Sequence, residues 1–368
     1  MRHIWIDTDC GIDDALALLI AGFSPNVKLV GVSCTYGNNR RGNVEKNVHR
    51  TLNAICEGHR RAGRHWDPPV ICRGPLDPVS SIAFQRSGKG ERGVDCRDEN
   101  WHGYDGLGDA KFSELFSPEE VAIIETVTLP VSEEPVPAII ERACKKAKEE
   151  TGQRLIVLAI GPFTSLLELV HLRDQIDLAI MGASFVEAFR KNAKDPAILE
   201  NLRKFENDPH QADLLDGNMA PCDMPHAEHN IGCDPVAAKV MFDTYEHITV
   251  IDWVLTLLAS ISLDDIDRLN SSSFVGRFHR CVGKHMEDMV RKHNGDYFPL
   301  CDPLAAMVCC YPDVETQVVK GRVDTCIANT DRFGQTVLHT DSHYTNTTLV
   351  LAVSNKKILD ILEYTLSQ

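Results

Sequence analysis

The chain has 368 residues, of which 43% are hydrophobic and 25% charged, a composition that excludes a disordered or collagen-like polypeptide. Its 53 Asp and Glu residues outnumber its 38 Lys and Arg residues, and the net charge of −15 would repel nucleic acid phosphates and anionic membrane surfaces. We therefore expect no nucleic acid and no membrane as a partner, and acidic clusters become the candidates for a functional site.

The ends and cysteines of the chain predict a cytoplasmic protein. Acidic residues follow the first apolar run at once, unlike in a signal peptide. No run long enough for a transmembrane helix occurs, so none is expected. The 13 cysteines are too few for a disulfide scaffold in a chain of this length, and reduced thiols fit better.

Short apolar runs alternate with amphipathic stretches along the chain. This alternation is typical of buried parallel strands in βαβ units. It predicts an α/β fold with a mostly parallel central sheet and helices on both faces. The predicted strands are residues 3–6, 27–34, 70–72, 155–160, 178–181 and 348–354. The predicted helices are residues 13–21, 42–57, 135–150, 162–171, 235–242 and 355–365.

Two segments interrupt this alternation. Residues 76–120 contain many glycines and polar residues, which predicts a loop excursion over one edge of the sheet. Residues 263–299 are compatible with helices and rich in Arg and His, which predicts a helical cap. Because no repeat and no Pro- or Ser-rich linker divides the chain, we expect residues 1–368 to form a single domain.

The most informative motif is an acidic cluster at residues 7–15, which read DTDCGIDDA. The cluster follows the first predicted strand and precedes the first helix, so it lies at the sheet edge where open α/β sheets bind ligands. Its four carboxylates repel each other unless a cation neutralises them. The cluster therefore predicts a site for a hard cation such as Ca²⁺ or Mg²⁺.

Other interpretations of this cluster stay open. Asp13 or Asp14 alone could cap the following helix, although a cap explains only one carboxylate. The spacing also matches the start of an EF-hand loop, but the flanking strand and the missing Glu at the last loop position argue against it. A phosphohydrolase with an Asp-x-Asp motif at a strand end is a stronger rival, because such enzymes hold Mg²⁺ there.

Residues 7–15 resemble the DTDPGIDDA signature of the nucleoside hydrolases, metal-dependent enzymes that cleave the N-glycosidic bond of ribonucleosides. Cys10 replaces the usual Pro. Other stretches follow in the order of the family and extend the resemblance to about Asp302. These stretches are residues 35–38 (TYGN), 102–108 (HGYDGLG), 160–164 (IGPFT), 181–182 (MG) and 227–235 (AEHNIGCDP).

The resemblance implies a Rossmann-like fold and a calcium-dependent hydrolysis of ribonucleosides to ribose and free base, as in purine and pyrimidine salvage. It implies that Asp9, Asp14, the backbone carbonyl of Ile160 and Asp302 bind Ca²⁺, with Asp9 also acting as the general base. His102 matches a residue near the nucleobase. Relatives are commonly homodimers or homotetramers. The residues that match positions at the ribose hydroxyls are Asp13, Asn38, Met181, Glu228 and Asn230.

Physical chemistry favours the same roles. Cleavage of the glycosidic bond passes through a state with positive charge on the ribose, which nearby carboxylates and amides can stabilise. A structural role nevertheless stays open for each ancillary residue: Asn38 in a turn, Met181 in the core, and Asp302 as a helix cap. Glu228 and Asn230 could likewise cap the helix that starts near residue 235.

The sequence departs from the family pattern at the leaving-group acid. Cys301 stands where the best-known group has a His, and it resembles a subgroup with Cys at this position. A thiol is a different acid, protonated at neutral pH, and a buried cysteine without a proton role is the alternative. Other candidates near the leaving base are His102, His279, His285 and His293, with Phe278 and Tyr297 as stacking partners.

A second departure concerns the contact to the 5′-hydroxyl. Cys222 stands where many relatives place an Asn, and Asn218 is the candidate to replace it. These departures keep a second function class open, a nucleoside-binding protein that has lost catalysis. The preferred nucleobase does not follow from any motif.

Overall fold

The computed structural model describes residues 1–86, 101–270, 272–293 and 295–368, so part of the predicted excursion 76–120 lies outside the described residues. The strands are β1 Arg2–Thr8, β2 Val27–Cys34, β3 Val70–Arg73, β4 Val131–Ser132, β5 Leu155–Ala159, β6 Ile176–Met181, β7 Ile248–Ile251, β8 Ile261–Ser262, β9 Tyr297–Phe298, β10 Glu315–Thr325, β11 Thr336–His339 and β12 Thr347–Val353.

The helices begin and end as follows. They are α1 Ile12–Phe23, α2 Arg41–Arg61, α3 Ser81–Arg86, α4 Pro118–Thr126, α5 Val136–Thr151, α6 Thr164–Glu168, α7 Val186–Asn192, α8 Pro196–Asn207, α9 His229–Cys233, α10 Pro235–Thr244, α11 Trp253–Leu258, α12 Leu263–Leu269, α13 Phe274–Lys292, α14 Cys301–Cys310 and α15 Asn355–Leu366.

A central sheet of ten strands runs in the order β11-β10-β12-β7-β6-β5-β1-β2-β3-β4. The strands pair in parallel except β10, which is antiparallel to both β12 and β11. The inner strands β1 and β5 are almost entirely buried, as their apolar sequences require in a sheet covered by helices. The predicted α/β fold with a mostly parallel central sheet is confirmed.

The position of β1 explains why the polar motifs converge. β1 pairs with β2 on one side and with β5 on the other, so the connections leaving these strands diverge and open a crevice at their carboxyl ends. The loops after β2 and β5 are held against the end of β1, since Thr35 donates to the Thr8 carbonyl and Ile160 donates to the Asp7 carbonyl, both at 2.9 Å.

α1 is the central helix of the molecule. All twelve of its residues are buried, as expected for a helix whose non-acidic residues are apolar all round. α1 packs against α14, which begins with Cys301 and Asp302. Acidic residues stand in the first turn of both helices, Asp13 and Asp14 in α1 and Asp302 in α14. The fold therefore brings together motifs from opposite ends of the sequence.

The predicted cap segment, residues 263–299, contains α12, α13 and β9, and β9 pairs with β8 immediately before the segment. In the described part of the chain, no helix is long and apolar enough to cross a membrane. Eleven cysteines of the described residues are free thiols, but Cys222 is disulfide-bonded. The expectation of reduced thiols is therefore wrong at Cys222.

Candidate active site

Three buried carboxylates meet where the first turns of α1 and α14 adjoin. One oxygen from each of Asp13, Asp14 and Asp302 lies within 4.8 Å of the other two, and the residues are 9%, 0% and 3% exposed. Local donors hold the deepest of them: the Gly11 amide donates to Asp14 Oδ2 at 2.7 Å, and Thr8 Oγ1 donates to Asp14 Oδ1. We call these three residues the carboxylate cluster.

The environment of the carboxylate cluster opposes negative charge. Burial, followed by repulsion from Asp13 and Asp14, raises the pKa of Asp302 well above its ordinary value. Burial and the adjacent Asp13 raise the pKa of Asp14 to about 7. No Lys or Arg of the described residues forms an ion pair with the cluster, and the nearest base is His102, with Nδ1 3.7 Å from Asp13 Oδ1. Carboxylate oxygens grouped without a counter-charge suit a hard divalent cation.

Asp9 lies beside the carboxylate cluster and is held by Asn38. The Asn38 amide donates to Asp9 Oδ2 at 2.6 Å, and Nδ2 donates to Asp9 Oδ1 at 3.2 Å. The same Nδ2 donates to Asp14 Oδ2 at 3.3 Å, so Asn38 links the two carboxylates. Gly37 is required here, because its φ is 151° and a Cβ would lie 1.9 Å from Asp9 Oδ2. Burial and the charge of Asp14 raise the pKa of Asp9.

Asn230, in the first turn of α9, ties together two strand ends. Its Nδ2 donates to the carbonyls of Ile160 at 3.2 Å and Met181 at 3.1 Å. Each carbonyl keeps a second lone pair for a ligand. Glu228 caps α9 by accepting from the Asn230 amide at 2.9 Å, whereas Asp234 caps α10. Glu228 therefore has a structural role, although at the helix before the one considered from the sequence.

A cavity of about 870 Å³ adjoins these groups, a volume within the usual range of small-molecule sites. Asp9 and Asp14 are fully buried and are not among its lining residues. The structure thus separates the predicted site into two buried carboxylates and a set that faces the cavity. The predicted residues lining the cavity are Asp13, Asn38, His102, Ile160, Met181, Glu228, Asn230, Cys301 and Asp302.

The two candidates for an acid at the leaving base differ in protonation. His102 Nδ1 accepts from the Ile12 amide at 3.1 Å, so in the neutral ring Nε2 carries the proton. The Cys301 thiol donates to Thr256 Oγ1 at 3.7 Å. Burial and the charge of Asp13 raise the pKa of Cys301 far above that of a free thiol. Both side chains therefore carry a proton at neutral pH.

Of the other candidates near the leaving base, two line the cavity and three do not. His293 and Tyr297 line it. Phe278 instead stacks on Phe112 in the core, with ring centroids 5.4 Å apart, and His285 is not among the lining residues. His279 Nδ1 lies 2.7 Å from Oδ1 of Asn270, the residue that follows α12. Burial lowers the pKa of His279 to about 4.

The candidates for the 5′-hydroxyl contact are also separated by the structure. Asn218 lines the cavity, and its buried Oδ1 has no hydrogen-bond partner within the described residues. Its backbone amide donates to the Ala227 carbonyl at 3.0 Å, which fixes it beside the loop that leads to Glu228. Cys222 is not among the lining residues.

Several cavity residues were missed by sequence reasoning. Trp101 lines the cavity and stacks on His293, with ring centroids 5.4 Å apart. His229 also lines the cavity. Its place between Glu228 and Asn230, in the family stretch at residues 227–235, could have indicated this. Asp208 and Asp213 lie between the family stretches at residues 181–182 and 227–235, so no motif marked them.

The pH dependence of stability tests the electrostatics of the carboxylate cluster. The pKa of Asp14 is raised to about 7 in the folded protein, so the folded protein retains a proton that the unfolded chain loses above about pH 4. The free energy of unfolding therefore falls as the pH rises from about 4 to about 8. Urea unfolding in the presence of a chelator, measured at several values between about pH 5 and 8, should show this loss of stability. Asp302→Asn is the control and should lose less stability over that range; equal losses in both proteins would contradict the prediction.

Comparison with known proteins gives consistent matches. A family model described as inosine-uridine preferring nucleoside hydrolase matches residues 4–360. Uridine nucleosidase 1 of Arabidopsis thaliana is 28% identical over 341 residues, 88% of this chain and 80% of that protein. The non-specific ribonucleoside hydrolase RihC of Salmonella enteritidis is 25% identical, covering 90% of each. The structure of an inosine-guanosine nucleoside hydrolase has the same fold, with a TM-score of 0.72, 17% identity, and 100% and 99% of the two chains covered.

Proposed function

The chain belongs to the inosine-uridine preferring nucleoside hydrolase family, and on that premise we propose that it hydrolyses ribonucleosides to ribose and free base with Ca²⁺ as its cofactor. Membership makes it a nucleoside N-glycosidase. The observation that carries the finer proposal is the carboxylate cluster beside a cavity large enough for a nucleoside. The proteins named above are a uridine nucleosidase, a non-specific ribonucleoside hydrolase and an inosine-guanosine nucleoside hydrolase, so we propose ribonucleosides as the substrate class without a choice of base.

The donor set supports a calcium site. Asp14 and Asp302 are carboxylates without a cationic partner among the described residues, and the Ile160 carbonyl keeps one lone pair. We assign these groups and Asp9 as the ligands, because hard oxygen donors suit Ca²⁺. When bound, the cation would chelate ribose hydroxyls and lower the pKa of a water molecule. Asp13 faces the cavity, which favours a contact to a ribose hydroxyl.

Asp9 is assigned as the general base. Both of its oxygens accept one hydrogen bond from Asn38, which fixes the carboxylate while leaving each oxygen with acceptor capacity. A carboxylate with a raised pKa is a stronger base than an exposed one. The role of Asn38 in this arrangement is to orient Asp9 while its side chain faces the cavity.

The ribose contacts are assigned to cavity-lining groups. Asn38, Met181, Glu228 and Asn230 line the cavity together with Asp13 and Asp302 of the carboxylate cluster, and their oxygen atoms can stabilise positive charge that develops on the sugar. His102 and Cys301 carry protons and line the cavity, so we assign them to the leaving base, with His102 as the better donor because the thiol is a weak one.

An assay of ribose release tests the function. Inosine and uridine are offered with Ca²⁺, after chelation, and after Ca²⁺ is restored. We expect ribose release that chelation abolishes and Ca²⁺ restores. Activity unaffected by complete metal removal would overturn the mechanism. Nucleoside binding without turnover above an Asp9→Ala variant would favour the binding protein instead, and hydrolysis of phosphate esters would favour the phosphohydrolase.

The charge of the cavity supports a substrate without phosphate. Its described lining carries five carboxylates and one lysine. The excess of negative charge would repel a phosphate group. The carboxylates are Asp13, Asp208, Asp213, Glu228 and Asp302, and the lysine is Lys292.

The Asn218 Oδ1 atom, which has no hydrogen-bond partner in the described part of the chain, gives a specific prediction for the 5′-hydroxyl. Asn218→Ala should lower kcat/KM for uridine by about tenfold, because one hydrogen bond of about 1.4 kcal/mol is lost. The matched control is 5′-deoxyuridine, whose hydrolysis should not change in the variant, since that substrate lacks the hydroxyl. Equal losses on both substrates would remove Asn218 from the 5′ contact.

We further propose a cytoplasmic single-domain enzyme of nucleoside salvage that forms a homodimer or homotetramer. The eleven free thiols among the residues that the structure describes support a reducing compartment, although the disulfide at Cys222 does not. Fractionation of cells, together with light scattering of the purified protein, tests location and assembly.

A further inference from the structure

A histidine in the cavity wall has no role in the chemistry described so far. His229 is 6% exposed, lines the cavity and is the first residue of α9, between Glu228 and Asn230. A histidine is costly to bury unless its two ring nitrogens find partners. Its partners therefore indicate what it does.

The first partner is the side chain of Asn230. The amide nitrogen of Asn230 is identified by its two acceptors, the carbonyls of Ile160 and Met181, so the other terminal atom is the oxygen. His229 Nδ1 lies 3.4 Å from that oxygen, at the long end of the hydrogen-bond range. Because Oδ1 can only accept, Nδ1 must carry the proton.

The second partner is a thiol one helical turn later. His229 Nε2 lies 3.6 Å from Cys233 Sγ, and Cys233 is fully buried. In a neutral ring with the proton on Nδ1, Nε2 is an acceptor, and a protonated thiol is a donor. The hydrogen bonds then run in one direction, from the thiol through the imidazole to Asn230, and from Asn230 to the two strand-end carbonyls.

We propose that His229 is a positioning residue that fixes the orientation of the Asn230 amide. With Nδ1 protonated, the ring accepts only one orientation of the amide, because a flipped amide would place two donors face to face and would lose both carbonyl contacts. The inference rests on the proposed function in one respect, namely that Asn230 contacts the ribose and that the Ile160 carbonyl binds the cation.

Imidazole ¹⁵N spectra of the full-length protein test the hydrogen-bond direction without any activity. The His229 signal is assigned by its absence from His229→Phe. We expect Nδ1 to carry the proton in the neutral ring, the tautomer that free histidine disfavours, and we expect Asn230→Ala to weaken this preference. A neutral ring protonated on Nε2 would overturn the proposal, whether or not the protein hydrolyses nucleosides.

Kinetics of two matched variants separate positioning from packing. His229→Phe keeps a ring but removes both hydrogen bonds, and we expect KM for uridine to rise about three- to tenfold with little change in kcat. His229→Asn places an amide nitrogen where Nδ1 stands and should restore most of the loss. In an Asn230→Ala background, His229→Phe should have no further effect on KM; effects that multiply, or a failure of His229→Asn to restore KM, would overturn the proposal.

Discussion

Replacing Asp302 by Asn is expected to abolish calcium binding at the Ca²⁺ concentrations of the ribose assay and, with it, ribose release. The substitution preserves shape but removes one of the two carboxylates assigned as ligands at the junction of α1 and α14. Loss of groups that only orient metal ligands costs about 10–100-fold in affinity, so loss of a ligand should cost at least about 100-fold. Calorimetric titration with Ca²⁺ measures the affinity, and the ribose assay measures the activity.

The same variant should be more stable than the wild type once calcium is removed. Burial and repulsion raise the pKa of Asp302, and an uncharged side chain at that position relieves both costs. Asp252→Asn is the matched control, because Asp252 is equally buried with a pKa raised to about 7 but caps α11 and is not one of the grouped carboxylates. This control should bind Ca²⁺ normally; an Asp302→Asn protein with wild-type affinity would contradict the assignment.

Replacing Asp9 by Asn is expected to lower kcat by about 10²–10⁴-fold, the range for loss of a general base. KM should change less, because Asp9 is not among the residues that line the cavity. Steady-state kinetics at saturating Ca²⁺ measure both constants. Because Asp9 is also assigned as a ligand, the same calorimetric titration measures the Ca²⁺ affinity of the variant, and the kinetics are measured at a Ca²⁺ concentration that saturates the variant itself.

Asp7 provides the control for Asp9. It lies two residues earlier on β1, it is buried, and burial raises its pKa to about 6. Its carboxylate accepts from Ser33 within the sheet and takes no part in the cavity. Asp7→Asn should therefore leave kcat within a few-fold of the wild type. Equal kcat losses in the two variants would show that a buried carboxylate matters for packing rather than for proton transfer.

The fold was predictable where sequence and burial agree. β5 is a continuous apolar run, β1 and β2 contain mostly apolar stretches, and the structure finds all three within a residue or two of their predicted ends. β10 was not predicted, because its buried and exposed positions alternate and most of the exposed ones are polar. Such a pattern is typical of an edge region with one covered face, and it breaks the βαβ rhythm on which the prediction was based.

The candidate site was predictable where one motif holds several functional residues. Residues 7–15 marked Asp9, Asp13 and Asp14 together, whereas the contact between these residues and Asp302 depends on how α1 packs against α14. No local pattern records that packing. The direction of the hydrogen bonds around His229 depends on partners from three separate segments, namely Ile160, Met181 and residues 229–233, and no local sequence pattern records their contact.

The complete burial of α1 also implies that different parts of the molecule exchange their backbone amide hydrogens at different rates. Backbone amides of a fully buried helix and strand exchange with solvent only through large-scale unfolding, whereas exposed loops exchange through small local openings. Asp9 and Asp14, which are assigned to proton transfer and to calcium, thus stand at the end of β1 and in α1, on the slowest-exchanging part of the chain, while His210 and His293 border the cavity from exposed segments. Entry of nucleoside and departure of products should follow the motions of these segments, with the catalytic floor remaining still.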